Sequence, residues 1–175
     1  ERAVVAIAPT ATSPALSGLS PWVFRVCPTD IAASAAAARF ALDSLGSTSA
    51  SIIYRNDAYG KDWTRAFVTT YTSGGGKVVQ RDPYLAEITE WDAYAAYTAR
   101  LAPDVLLFPG SAEDAELLIR ALRRANVNIP VLGGDAIAPL ATKPVQAPSA
   151  GGAPGNVPRT TSTFRCGASA PLVAP

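Results

Sequence analysis

Short apolar segments alternate with longer amphipathic segments along most of the chain. The apolar segments are rich in Val, Ile and Leu and end at Gly, Pro or Asn, which is typical of strands covered on both faces. The amphipathic segments repeat apolar residues every three or four positions, which is typical of helices packed on one side. The pattern predicts strands at 4–8, 22–26, 51–54, 77–81, 104–108 and 130–133, and helices at 31–45, 61–73, 90–101 and 111–126. This alternation predicts βαβ units, a parallel sheet and the α/β fold class.

Two helices show which of their side chains should enter the core. Trp63, Phe67 and Tyr71 stand at intervals of four residues, so they share one face, and we expect that face to be buried. In the last predicted helix, Leu117, Leu118 and Leu122 form the predicted apolar stripe, with the arginines on the opposite side. The first strand, 4–8, is apolar throughout and is therefore expected to be buried.

The composition argues against several classes of function. The chain is 49% hydrophobic and 17% charged, with a formal net charge of +1, so nothing suggests a basic nucleic-acid footprint. It contains no His and two Cys, which argues against the usual zinc, haem and histidine-dependent catalytic sites. We therefore predict no cofactor, no metal and no nucleic-acid partner. Cys27 and Cys166 are expected to be unpaired thiols unless an oxidising compartment and the fold bring them together.

Composition also changes along the chain. From about residue 141 onward, Pro, Gly and Ala dominate, and no acidic residue occurs. No element can be assigned in 141–175, which is expected to be disordered or to lie outside the native reading frame. The chain has no Met and begins on a strand pattern, so we expect its N-terminus to be truncated and a signal peptide to be missing.

Candidate binding residues follow the predicted strands, because ligands of open parallel sheets bind beyond the strands' carboxyl ends. Hydroxyl and backbone N–H groups can hold a carboxylate, and an acidic side chain can hold an ammonium group. A tyrosine ring can flank a side chain. The candidates are Thr10, Ala11, Thr12, Tyr59, Ser111 and Asp135.

Each candidate also has a structural interpretation. Asp135 could be a turn residue, Tyr59 could pack at a helix start, and Ser111 could serve only as a helix cap. Thr10 and Thr12 could be ordinary loop residues. Asp57 is interpreted as a turn or cap residue.

Catalytic motifs are missing from the sequence. Gly74-Gly75-Gly76-Lys77 is not a phosphate loop, because the spacing and the following Val78 are wrong and a strand follows instead of a helix. No Gly-x-Ser-x-Gly motif occurs. Glu87, Glu90 and Asp92 are interpreted as a solvated helix start. The protein is therefore not expected to be an enzyme.

Several segments together resemble the type I periplasmic binding proteins, in particular the leucine/isoleucine/valine-binding branch. The resemblance extends over about 1–140, and it also includes the ligand-binding regions of amino-acid receptors. It is carried by Ala8-Pro9-Thr10-Ala11-Thr12-Ser13-Pro14, Phe24-Arg25-Val26 with Thr29-Asp30, Tyr54-Arg55-Asn56-Asp57-Ala58-Tyr59-Gly60, Pro103-Asp104-Val105 with Pro109-Gly110, and Gly133-Gly134-Asp135.

The resemblance implies two Rossmann-like lobes that close on a ligand. It divides the chain into 1–29 (remnant of the first lobe and crossing segment), 30–140 (second lobe) and 141–175 (tail). It also implies that Thr10 to Thr12 grip the α-carboxylate and ammonium of an amino acid, that Tyr59 and Ser111 approach from the second lobe, and that Asp135 takes the ammonium.

The implied role is that of a solute-binding subunit of an ABC importer, either periplasmic or itself a cell-surface lipoprotein, with a membrane permease as partner. A sensory receptor domain is the alternative. Ser111 stands where branched-chain binders often carry an aromatic residue, and the family's earlier strands and its return into the first lobe are not recognisable.

Overall fold

The structure, a computed structural model, describes residues 4–85, 87, 90–141 and 172–174. A short parallel ribbon pairs β1 (Ala6–Ala8) with β2 (Val23–Arg25). The remaining elements build one five-stranded sheet with helices on both faces. They are α1 (Asp30–Asp43), β3 (Ser49–Arg55), α2 (Ala58–Ser73), β4 (Lys77–Tyr84), α3 (Trp91–Leu101), β5 (Val105–Leu107), α4 (Ala112–Arg124), β6 (Val131–Gly133), α5 (Ala138–Ala141) and β7 (Leu172–Ala174).

The large sheet has the strand order β4-β3-β5-β6-β7. Its first four strands are parallel, and β7 runs antiparallel to β6. The parallel Rossmann-like α/β prediction is therefore confirmed. β7 is an additional strand in a segment for which the sequence predicted no element. The rest of that segment, 142–171 and 175, lies outside the described residues.

The core has two layers, one on each face of the large sheet. Alanines of α1 and aromatic residues of α2 pack over Ile52 and Leu107 on one face. On the other face, α3 and α4 pack over Ile53, Leu106 and Phe108. Trp63, Phe67 and Tyr71 are all buried, as the spacing predicted. Among the described residues, no helix combines the length and the apolarity that a membrane crossing needs.

Local chemistry explains where three helices begin. Thr29 caps α1 by accepting a hydrogen bond from the Ala32 amide, and Asp57 caps α2 in the same way through Gly60. Ser111 caps α4 through the Asp114 amide. The cap role predicted for Asp57 is confirmed. α2 begins three residues earlier than predicted, because the cap lies at Asp57 and the intervening residues form the first turn.

Two burial predictions are wrong. Leu117 is 49% exposed, whereas Leu118 and Leu122 are buried together with Ile119, so the apolar face of α4 is rotated away from Leu117. The first strand is not buried: Val4 is 74% exposed, and Val5 and Ile7 are exposed as well. The ribbon is apolar, but no described element covers it.

Candidate functional site

Three loops meet at the carboxyl ends of the parallel strands and form the candidate site. One follows β1 and carries Thr12, one follows β3 and leads into Tyr59 on the first turn of α2, and one follows β6 and carries Asp135. The beginning of α1 contributes a fourth group, Asp30. The site therefore lies where the parallel-sheet rule places it.

Tyr59 and Asp135 are in direct contact. The phenol oxygen of Tyr59 donates a hydrogen bond of 3.2 Å to Oδ1 of Asp135, and it accepts one from the Ala136 amide. Burial raises the pKa of Tyr59, and the negative charges of Asp135 and Asp30 raise it further. Tyr59 therefore remains a neutral donor at physiological pH. The structure brings together these two predicted residues, which are 76 positions apart in the chain.

Asp30 is only 3% exposed, and its charge acts on Tyr59. Its Oδ1 accepts a hydrogen bond of 2.9 Å from the indole Nε1 of Trp63, and its carboxylate also binds the side chain of Thr12. The Asp30 amide donates to the carbonyl of Thr12 at 3.0 Å. Thr12, a predicted ligand residue, is thus attached to the start of α1 through both backbone and side chain.

Negative charge dominates the electrostatics of the candidate site. Burial raises the pKa of Asp30, against the opposing hydrogen bonds from Thr12 and Trp63, and repulsion from Asp135 and Asp62 adds to the increase. The charged groups that act on both Asp30 and Tyr59 are all carboxylates. A site of this kind favours a cation or a strong hydrogen-bond donor over an anion.

Gly134 permits the close packing at the centre of the site. A Cβ atom at this position would overlap the Tyr59 hydroxyl and lie 2.6 Å from the Trp63 ring. Any side chain at Gly134 would therefore force the loop, Tyr59 or Trp63 to shift.

Two other predicted residues lie on the loop that follows β1. Thr10 and Ala11 are exposed, and the Ala11 carbonyl accepts a weak hydrogen bond of 3.5 Å from the thiol of Cys27. Cys27 is a free thiol among the described residues, and Cys166 lies outside them. The loop presents Thr10 and Ala11 to solvent beside the cluster of Thr12 and Asp30.

Ser111 belongs to a different hydrogen-bonded group. Its hydroxyl donates to Asp114 at 2.9 Å, and Tyr84 donates to the same carboxylate oxygen at 3.0 Å. Burial raises the pKa of Tyr84, and the hydrogen bond to Asp114 adds to this. In the described part of the chain, Ser111 is engaged with Asp114 as a helix cap and is not hydrogen-bonded to Tyr59 or Asp135.

Sequence reasoning missed Asp30 and Trp63 as members of the site. Asp30 entered the sequence analysis only as part of the Thr29-Asp30 segment; in the structure Thr29 caps α1, and the Asp30 side chain binds Trp63 instead. Trp63 was assigned to the core by its spacing, which is correct, but spacing does not reveal what its N–H group binds. Within the described residues, no group of three or more His, Cys, Asp or Glu could hold a metal ion.

Comparison with known proteins identifies the family of the chain. A family model described as "Periplasmic binding protein" matches residues 1–163. The Leu/Ile/Val-binding protein homolog 3 of Brucella melitensis is 30% identical over 139 residues, covering 78% of this chain. The chain spans only 38% of that relative's length.

Solved structures show the same fold. The branched-chain amino acid substrate-binding protein LivJ of Streptococcus pneumoniae has a TM-score of 0.69 and 20% identity, covering 77% of this chain and 38% of that one. A solute-binding protein of R. palustris has a TM-score of 0.62 and 24% identity, covering 68% and 33%. With the family match extending over nearly the whole sequence, the chain belongs to the periplasmic binding protein family.

Proposed function

We propose that this chain forms most of the second lobe of an extracytoplasmic solute-binding subunit, and that this subunit delivers an amino acid to an ABC permease. The observation that carries the proposal is the acidic cluster of Asp30 and Asp135 around the Tyr59 hydroxyl. An α-ammonium group placed there would form charge-assisted hydrogen bonds with two carboxylates, and its positive charge would offset the repulsion between them. Binding, rather than turnover, is the proposed role.

The charge of the cluster favours one of two ligand classes found among the relatives. The S. pneumoniae protein was solved in complex with isoleucine, whereas the R. palustris protein was solved in complex with benzoate. Benzoate carries only a negative charge, which Asp30 and Asp135 would repel. We therefore propose an amino acid, of the branched-chain type or similar, as the ligand.

The open ribbon of β1 and β2 supports the proposed division into lobes. Two parallel strands with exposed apolar faces are not stable alone in water, because such strands are normally covered on both sides. We infer that 1–29 belong to a first lobe completed by further polypeptide, with 30–140 as the second lobe. The described residues would then outline one side of the cleft, with Thr12 as the contribution of the first lobe.

A half site should bind weakly, with a dissociation constant in roughly the millimolar range, where the binding free energy is only about 4 kcal/mol. Amide chemical-shift titration of the ¹⁵N-labelled chain measures such affinities. We expect L-isoleucine to shift the signals of Tyr59 and Gly134. N-acetyl-L-isoleucine, which lacks the ammonium, and benzoate should leave these signals in place.

Variants test the role of the carboxylate directly. Asp135→Asn should reduce the isoleucine affinity at least about tenfold, because a charge-assisted hydrogen bond is replaced by a neutral one. Asp43→Asn, an exposed change at the end of α1, is the matched control and should have no effect. Equal affinity in Asp135→Asn and the control, or binding of benzoate in preference to isoleucine, would refute the proposal.

A further inference from the structure

Trp63 has contacts that its position in the core does not require. Its side chain is 2% exposed and lies on the buried face of α2, as expected for a packing residue. However, its polar indole N–H is directed at the carboxylate of Asp30, 33 positions away in sequence. Burying a polar group is tolerated in a core only if it is hydrogen-bonded, and this one has a charged partner.

The same side chain also contacts the other members of the site. Its ring lies against the backbone of Gly134, directly before Asp135. Its centroid is 6.1 Å from that of the Tyr59 ring, in a tilted arrangement. The backbone carbonyl of Trp63 accepts a hydrogen bond of 2.6 Å from the hydroxyl of Ser34 on α1. One residue thus connects α1, the first turn of α2 and the loop after β6.

We propose that Trp63 is a positioning residue of the binding site, whose indole holds Asp30 and the Gly134–Asp135 loop at the separation that an ammonium group needs. The inference rests on the function proposed above, since it concerns the geometry of the same site. The N–H group fixes one carboxylate, and the ring supports the backbone that carries the other. Without the indole, repulsion between the two carboxylates would act on groups that are no longer held in place.

A purely structural role for Trp63 makes different predictions, and a second tryptophan allows the two to be separated. Trp91 is 4% exposed and packs against Tyr84 and Phe108, but its buried Nε1 has no hydrogen-bond partner. Replacement of either tryptophan by Phe removes similar ring area from a buried aromatic cluster. Only Trp63→Phe removes a hydrogen bond to a site carboxylate.

The first experiment needs no ligand. The carboxyl ¹³C signal of Asp30 is followed with pH in the chain and in its Trp63→Phe and Trp91→Phe variants. Because the indole hydrogen bond stabilises the ionised form, its loss should raise the pKa of Asp30, whereas Trp91→Phe should leave it unchanged. The other groups that bear on Asp30, namely Thr12, Asp62 and Asp135, are the same in all three proteins.

The second experiment measures isoleucine affinity in the same three proteins. Trp63→Phe should weaken binding about tenfold or more, and Trp91→Phe should change it less than twofold. If Trp63→Phe does not fold, the Trp63 indole N–H signal of the unsubstituted chain is measured instead. This signal should shift with pH at the same midpoint as the Asp30 carboxyl signal. It should also change position in Asp30→Asn.

The outcomes separate the two proposals. The positioning role is overturned if the pKa of Asp30 is identical in the chain and in Trp63→Phe. It is also overturned if the indole signal does not change as Asp30 titrates. Equal losses of affinity in the two Phe variants also overturn it. A chain that binds no isoleucine while the Asp30 titration responds to Trp63→Phe overturns the proposed ligand and leaves the positioning role in place.

Discussion

Asp104 links the N-terminal ends of the neighbouring strands β3 and β5, at the end of the sheet opposite the candidate site. One carboxylate oxygen accepts four hydrogen bonds of 2.8–3.0 Å, from the amides and hydroxyls of Thr48 and Ser49, at the start of β3. These hydrogen bonds lower the pKa of Asp104 from its ordinary value of 3.8 to about 2. The carboxylate should therefore contribute to the stability of the fold.

The size of this contribution follows from the shift. Each pKa unit corresponds to about 1.36 kcal/mol, so the full shift would be worth about 2.4 kcal/mol. Asp104 is exposed, and solvent screens its interactions, so we expect about 1 kcal/mol. Because the folded-state pKa lies below the unfolded one, this stability is present above about pH 4 and is lost as the pH falls toward 2.

The test is urea denaturation of the chain and of Asp104→Asn, followed by circular dichroism between pH 2 and pH 7. At pH 7 the variant should be less stable by about 1 kcal/mol, a decrease in Tm of roughly 2–4 °C for a domain of this size. The difference should vanish near pH 2. Asp43→Asn serves as the control and should show no difference at any pH. A difference for Asp104→Asn that stays constant across this range would contradict the reasoning.

Two further predictions concern packing. Gly134→Ala should lower the free energy of unfolding by about 1–3 kcal/mol, because the added methyl overlaps the Tyr59 hydroxyl and the Trp63 ring. Unchanged stability in urea denaturation would show that the loop moves to accommodate the methyl without strain. Leu118→Ala should cost about 2–5 kcal/mol, whereas Leu117→Ala, on the exposed side of α4, should change stability by less than about 0.5 kcal/mol. Similar losses in the two leucine variants would contradict the orientation found for this helix.

The sequence was sufficient to predict the parallel sheet and the meeting of distant loops. Strand periodicity located the ends of β3 and β6, and the rule for parallel sheets then placed Tyr59 and Asp135 at the same end of the sheet, where the structure brings them into contact. Chemical type made these residues candidates for ligand binding, but it did not predict which side chains they contact. Thr12 was predicted as a ligand residue, and the structure adds its attachment to Asp30.

The failures have physical causes. Apolar periodicity measures which residues avoid water, so it classified Trp63 as core and could not detect what its N–H group binds. Leu117 and Leu118 are adjacent on α4, about 100° apart around the helix axis, and only packing decides which of them faces the sheet. The apolar ribbon strand β1 was expected to be buried, but periodicity does not show whether the covering layer belongs to the same chain segment.

The reversed strand β7 has a consequence for the order in which the sheet assembles. β3 pairs with β4, and β5 with β6, through one intervening helix each. The pairing of β3 with β5 joins Ala50 to Val105, 55 positions away in the chain, and the pairing of β6 with β7 joins Leu132 to Val173, roughly 40 positions away, so both close long loops at a cost in entropy. The outer side of β6 is covered only once the pair with β7 has formed. Until then β6 is an open edge, able to pair with a strand of another molecule. We therefore expect aggregation during refolding to depend on how fast β7 pairs with β6.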